Sequence, residues 1–209
     1  MSFFDPSVPG GPKQPGSPDG AGRFSGFLAR LTVLRKSAAN LHDPRALAGA
    51  AMLAALHLVL NQFTIPVSSV LEIGFDFLTV AATGYLYGPW VAGLSGFATD
   101  LLGYLLRPNG PYFPGFTLSA ILLGVVYGLA YYQKPVSVRR IVCTKLCVVL
   151  LFNFFLTPLW LHIMYGQAFV ILSQIRLVKN LVKFPVDVAL AYTVLRLASR
   201  EQRRIGGQR

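Results

Sequence analysis

Residues 107–120 read RPNGPYFPGFTLSA, and the reading of this stretch decides the fold. Three prolines and two glycines interrupt a chain that is close to lipid-like on both sides. Proline fixes φ and lacks an N–H, so Pro108, Pro111 and Pro114 are expected to keep the stretch non-helical on a set course. Thr117 and Ser119 are expected to cap the helix that follows. The apolar runs before and after it then become separate membrane spans, each needing about 20 residues to cross the bilayer core.

Counting outward from this loop, apolar runs recur over about 45–60, 72–87, 90–106, 116–132, 141–164 and 172–197. The tight YGPW turn separates the second run from the third. The expected fold class is all-α integral membrane, with six transmembrane helices. The composition agrees: 54% of the 209 residues are hydrophobic and 13% charged, about half the charged share of a soluble domain. Six is an even number, so both termini share one side.

The cations say which side. Lys13, Arg23, Arg30, Arg35, Lys36 and Arg45 precede or open the first span. Lys134, Arg139, Arg140 and Lys145 lie at the connection between the fourth and fifth, and Arg196, Arg200, Arg203, Arg204 and Arg209 at the C-terminus. In a six-span arrangement these fall on one face, and the opposite connections hold Arg107 alone. The positive-inside rule makes that face cytoplasmic, termini included. The formal net charge of +11 is thus read as an orientation signal, with a lipid bilayer and not a nucleic acid as the partner.

Residues 1–40 differ from the rest. MSFFDPSVPGGPKQPGSPDGAG is rich in Pro, Gly and Ser and is expected to be a disordered cytoplasmic tail. No apolar stretch follows a basic start, so no cleavable signal peptide is expected. RFSGFLARLTVLRK places Phe24, Phe27, Leu28, Leu31 and Leu34 near helical spacing among arginines. It reads either as an amphipathic helix on an anionic leaflet or as a solvated basic tail. The membrane domain is expected over 45–197 and a second basic tail over 198–209.

Three cations remain, and they lie within the last span. In IRLVKNLVKFPVD, Arg176, Lys179, Asn180, Lys183 and Asp187 fall on one helical face. A charge in a span costs roughly 2.5–3.5 kcal/mol on insertion scales, so this face is expected toward the bundle, a cavity or a partner. Lys183 and Asp187, four apart, read as a structural charge pair. Arg176 and Lys179, flanked by the Asn180 amide, suit a carboxylate arriving from outside. The bland alternative pairs all three cations with Asp76, Asp100 and Asp187.

Asn153 and Trp160 share a face of the fifth helix by spacing, and His57 and Asn61 end the first helix one turn apart. His57 and Asn61 are candidate binding residues, although a lone histidine there is more often a hydrogen-bonded packing residue. Cys143 and Cys147 are expected to be buried small apolar residues and no metal site. The three histidines are scattered, and the chain has no HExxH, no GxxxxGK[ST] and no Ser-His-Asp context. No catalytic residue and no cofactor is expected.

YGPWVAGLSGFATDLLGYLLRPNGPYFPGFTLSAILLGVVYGL, with NFFLTPLWLHIMYGQAF and IRLVKNLVKFPVD, resembles the S components of energy-coupling factor (ECF) transporters. The folate-type group is the nearest, and the resemblance covers roughly 45–197. It implies a six-helix bacterial plasma-membrane protein that captures a vitamin outside, without an ATP site of its own. The implied partners are an ECF transmembrane scaffold subunit and two ATPase subunits. It also places scaffold docking on a small-xxx-small face, here Ala51 and Ala55, with Ala50 and Ala54 as a second register. The implied ligand site has Tyr112, Phe113, Phe116, Trp160 and Tyr165 enclosing a ring, with Arg176 and Lys179 meeting carboxylates. Residues 107–120 then become part of a gate over that site. Gln62 stands where the group usually has an arginine, and Pro111 where a second glycine is common. Rival readings are an S component for another water-soluble vitamin and a stand-alone facilitator.

Overall fold

The structure is a computed structural model and describes residues 34–35, 37–63, 65–68, 71–108, 111–166 and 169–206. Side chains are described for these except 65–68, 71–73, 165, 169–179, 181–182 and 201–206. The expected tail and amphipathic segment before residue 34 thus lie outside the described residues.

Helices dominate: α1 (Pro44–Gln62), α2 (Phe77–Tyr87), α3 (Pro89–Leu106) and α4 (Pro114–Tyr131). The fifth, α5, joins Val138–Val148, a π-helical segment Val149–Leu156 and Thr157–Tyr165, and α6 is Phe169–Gly206. Pro44–Gln62, Pro114–Tyr131 and Val138–Met164 are long and apolar enough to cross a membrane, and Phe77–Tyr87 is a shorter apolar helix. Large apolar side chains face outward, as Met52 (75% exposed) and Leu105 (74%) show. A bundle that turns leucine and methionine outward is built for lipid.

The all-α expectation needs one correction. Between α1 and α2 the chain forms an antiparallel hairpin of β1 (Ile65–Ser68) and β2 (Leu71–Ile73). Its sequence, IPVS and LEI, is rich in β-branched residues, which suit strands better than helices. The second helix therefore starts at Phe77 and not at 72. A second correction concerns Pro114, which opens α4 at its first turn, where a missing N–H costs nothing.

Glycines set the closest packing. A Cβ on Gly96 would strike the Ala120 carbonyl, one on Gly124 the Ala92 carbonyl, and one on Gly128 the backbone of Pro89. These pairs run in opposite directions along the chain, so α3 and α4 are antiparallel neighbours in near backbone contact. Gly84 of α2 meets the backbone of Tyr127 and Gly128 in the same way. Phe77, Tyr85, Tyr127, Tyr131, Ile141, Val148, Phe152, Ala191 and Leu195 form the core that α2, α4, α5 and α6 share.

At the other end, Gly88 (φ 88°) turns the chain from α2 into α3. The Asn40 amide donates to the Tyr87 carbonyl (3.0 Å) and to the Tyr132 hydroxyl (3.1 Å). Ser37, fully buried, donates to the same carbonyl at 3.4 Å. Asp43 caps α1 by accepting from the Arg45 N–H at 3.0 Å.

Candidate functional site

The hairpin strands, residues 107–108 and 111–113 and the start of α4 lie at the same end of the bundle, because α1 leads into the one and α3 into the others. That end carries most of the predicted site residues. Phe113, Phe116 and Trp160 come together: Phe113 packs at 5.6 Å from Trp160 and 6.2 Å from Phe116, centroid to centroid. The Trp160 indole donates to the Ser119 hydroxyl (2.9 Å), which donates to the Gly115 carbonyl (3.0 Å). Gly115 is required here, because a Cβ would enter the Phe113 ring and come within 2.7 Å of Trp160. The result is a half-buried aromatic wall with a fixed indole orientation.

Tyr112 belongs to a separate group. Its ring lies 5.3 Å from Tyr104, and its hydroxyl is 2.6 Å from Thr117, which donates to Asp100 at 2.6 Å. Thr117 has one proton, so Tyr112 is the donor in the first bond. Thr117 and Ser119 are therefore not caps: one reaches across to α3 and the other to Trp160. Asp100 accepts the hydroxyl of a neighbouring helix.

His57 faces α2. Its Nδ1 lies 3.0 Å from the Thr79 hydroxyl, which itself donates to the Asp76 carbonyl at 2.6 Å. With the Thr79 proton so used, Nδ1 carries the proton of His57. The histidine thus braces α1 against the first turn of α2. Asn61 follows one turn on, half-buried at the end of α1.

On α6, one face carries Arg176, Lys179, Asn180, Lys183 and Asp187 by helical register. The side chains of Arg176, Lys179 and Tyr165 lie outside the described residues; Asn180 is half-buried. Lys183 lies 3.5 Å from Asp187, as the spacing predicts. A second cation was not predicted there. Lys145, counted above with the connecting-loop charges, is 5% exposed and binds Asp187 at 2.9 Å. Its ammonium sits 3.3 Å above the Phe77 ring. The expectation for the cysteines is also corrected, since Cys143 and Cys147 face out of the bundle. In sequence, Lys145 differs from loop cations by lying seven residues inside α5.

Ala51 and Ala55 are exposed, with Met52 and Leu56 beside them, whereas Ala50 is buried and Ala54 half-buried. The two alanine registers are thereby separated: one packs within the bundle, and the other faces away from it.

The sequence model of "ECF transporter, substrate-specific component" matches residues 45–195. The chain is 37% identical over 150 residues to the folate transporter FolT of Clostridium novyi, covering 72% of this chain and 87% of the relative. It is 33% identical over 159 residues to FolT of Leuconostoc mesenteroides, covering 73% and 85%. A crystal structure of FolT bound with folic acid is similar at a TM-score of 0.69 and 35% identity, covering 75% of this chain and 98% of that one.

Proposed function

We propose that this chain, which belongs to the family of ECF transporter substrate-specific components, is the membrane subunit that captures folate for uptake. The carrying observation is the similarity to FolT bound with folic acid, at 35% identity over nearly all of that chain. Folate is a flat ring system bearing carboxylates. The aromatic wall of Phe113, Phe116 and Trp160 suits the ring, and the cationic face of α6 suits the carboxylates.

On this reading the six helices α1–α6 are six spans, both termini are cytoplasmic, and the hairpin, the loop 107–113 and the start of α6 face outside. The membrane is the bacterial plasma membrane, and the chain carries out no chemistry itself. A scaffold subunit and two ATPases supply the energy. The exposed Ala51–Ala55 face is the scaffold contact, since paired alanines on an outward face let a second helix approach closely.

Two experiments test these assignments. Purified protein is expected to bind folate saturably without ATP, in competition with pterin analogues and not with unrelated vitamins. Arg176→Ala and Lys179→Ala are each expected to weaken binding by about ten- to a hundred-fold, the worth of one charge-assisted hydrogen bond. Unchanged affinity in both would remove the anion site from α6. Ala51→Trp with Ala55→Trp is expected to abolish uptake and scaffold pull-down in cells carrying the partner subunits, with folate binding intact. Wild-type uptake by that variant would refute the docking face.

A further inference from the structure

We infer that Lys183 is a positioning residue for the outer site: it pegs the non-helical backbone at Gly74, from which β2 rises, and so sets how long ligand is retained. This inference rests on the folate-capture reading. The argument begins with the length of α2. Its 11 residues rise about 16 Å, roughly half the bilayer core. The chain between β2 and α2 must therefore enter the membrane as irregular backbone. Such backbone persists at depth only where protein groups satisfy it or where it lines a cavity.

Gly74 is in neither strand nor helix, and its carbonyl accepts from the Lys183 ammonium. The same ammonium lies 5.3 Å from the Phe75 ring and 5.4 Å from the Phe77 ring. Its orientation is set from behind. Asp187, one turn along α6, is held by Lys145 of α5 at 2.9 Å and presents its other oxygen to Lys183 at 3.5 Å. Two lysines on one carboxylate, Lys145 buried and Lys183 half-buried, form a larger device than an ion pair requires. Lys145 alone would neutralise Asp187, and Lys183 is left to reach across to the segment 74–77. Asn180 precedes Lys183 by three residues toward the outside, so a ligand held against Asn180 rests one turn above the peg.

The test compares Lys183→Met with Lys183→Arg. Asp187 keeps Lys145 in both, so both are expected to fold. In Lys183→Met, backbone amides of 71–76 are expected to exchange hydrogen at least about tenfold faster, with α5 and α6 unchanged. Folate dissociation is expected to accelerate about ten- to a hundred-fold while association changes by less than about twofold. Lys183→Arg is expected to restore slow exchange at 71–76. Unchanged exchange in Lys183→Met overturns the inference, and so does exchange that rises equally throughout the bundle. The exchange measurement needs no ligand. A wild-type protein that does not bind folate would therefore refute the folate reading while leaving the peg to be judged by its own result.

Discussion

Gly124→Leu is expected to leave no monodisperse folded protein on fluorescence-detected size exclusion in detergent. A side chain at 124 must start where the Ala92 carbonyl already stands, 2.6 Å from its carbon and 3.0 Å from the Gly93 nitrogen. Neither atom can swing aside, because both belong to the backbone of α3. The usual relief, a slide of one helix along its neighbour, is closed as well: Gly96 against Ala120 and Gly128 against Pro89 fix the same register from both ends. Overpacking typically costs about 1–3 kcal/mol when neighbours can relax, and more when they cannot. Gly103→Ala is the matched control. Its methyl would meet only a Leu58 methyl, at 3.8 Å, and gains the helix propensity of alanine, roughly 1 kcal/mol. A Gly124→Leu protein that melts with the wild type would refute the close α3–α4 seam.

Asp187→Leu is expected to destabilise nearly as strongly, for electrostatic reasons. Asp187 is 7% exposed and is the counter-charge of two ammonium groups, one buried (Lys145) and one half-buried (Lys183). Removing it strands both, and breaking one buried pair from one side already costs roughly 3–5 kcal/mol. The Phe77 ring beneath Lys145 offsets part of this, cation–π contacts being worth about 2 kcal/mol when desolvated. The triple change Lys145→Met, Asp187→Leu and Lys183→Met removes the charges together and is expected to melt close to the wild type. Thermal melts in detergent decide the matter: a single mutant as stable as the triple would mean that the lysines find water or lipid headgroups instead.

The helices were legible in the sequence because each is a long apolar run bounded by Pro, Gly or charge. What sequence reading lost was lost to depth and to partners. Residues 72–76 fall outside the second helix because TIPVSSVLEI is rich in β-branched residues and Gly74 follows the end of β2. Lys145 reads as a loop cation because charge in sequence says nothing of the carboxylate waiting on another helix 42 residues away. Thr117 and Ser119 look like caps because their cross-helix partners, the Asp100 carboxylate that accepts from Thr117 and the Trp160 indole that donates to Ser119, are set by tertiary packing. The Phe113–Phe116 contact is legible, since the two lie three residues apart in sequence. The pairing of Lys183 with Asp187 was also legible, because i and i+4 neighbours follow from helix geometry alone.

The π-helical segment of α5 has a consequence for reading position from number. Pro158 has no N–H to give, and upstream of it the chain winds wider, the Thr157 N–H reaching back five residues to Phe152. Each residue of this segment therefore turns through less than the 100° of an α-helix. The two ends of α5 consequently run in different angular frames. Asn153 and Trp160, seven apart and aligned in an ideal helix, are out of phase here, and Trp160 is turned onto Ser119 of α4. A single residue gained or lost within 149–156 would rotate everything beyond it, Trp160 included, by about a quarter turn relative to α4. The segment thus acts as a dial: it sets which side chains of Thr157–Tyr165 face α4, while the length of the helix hardly changes.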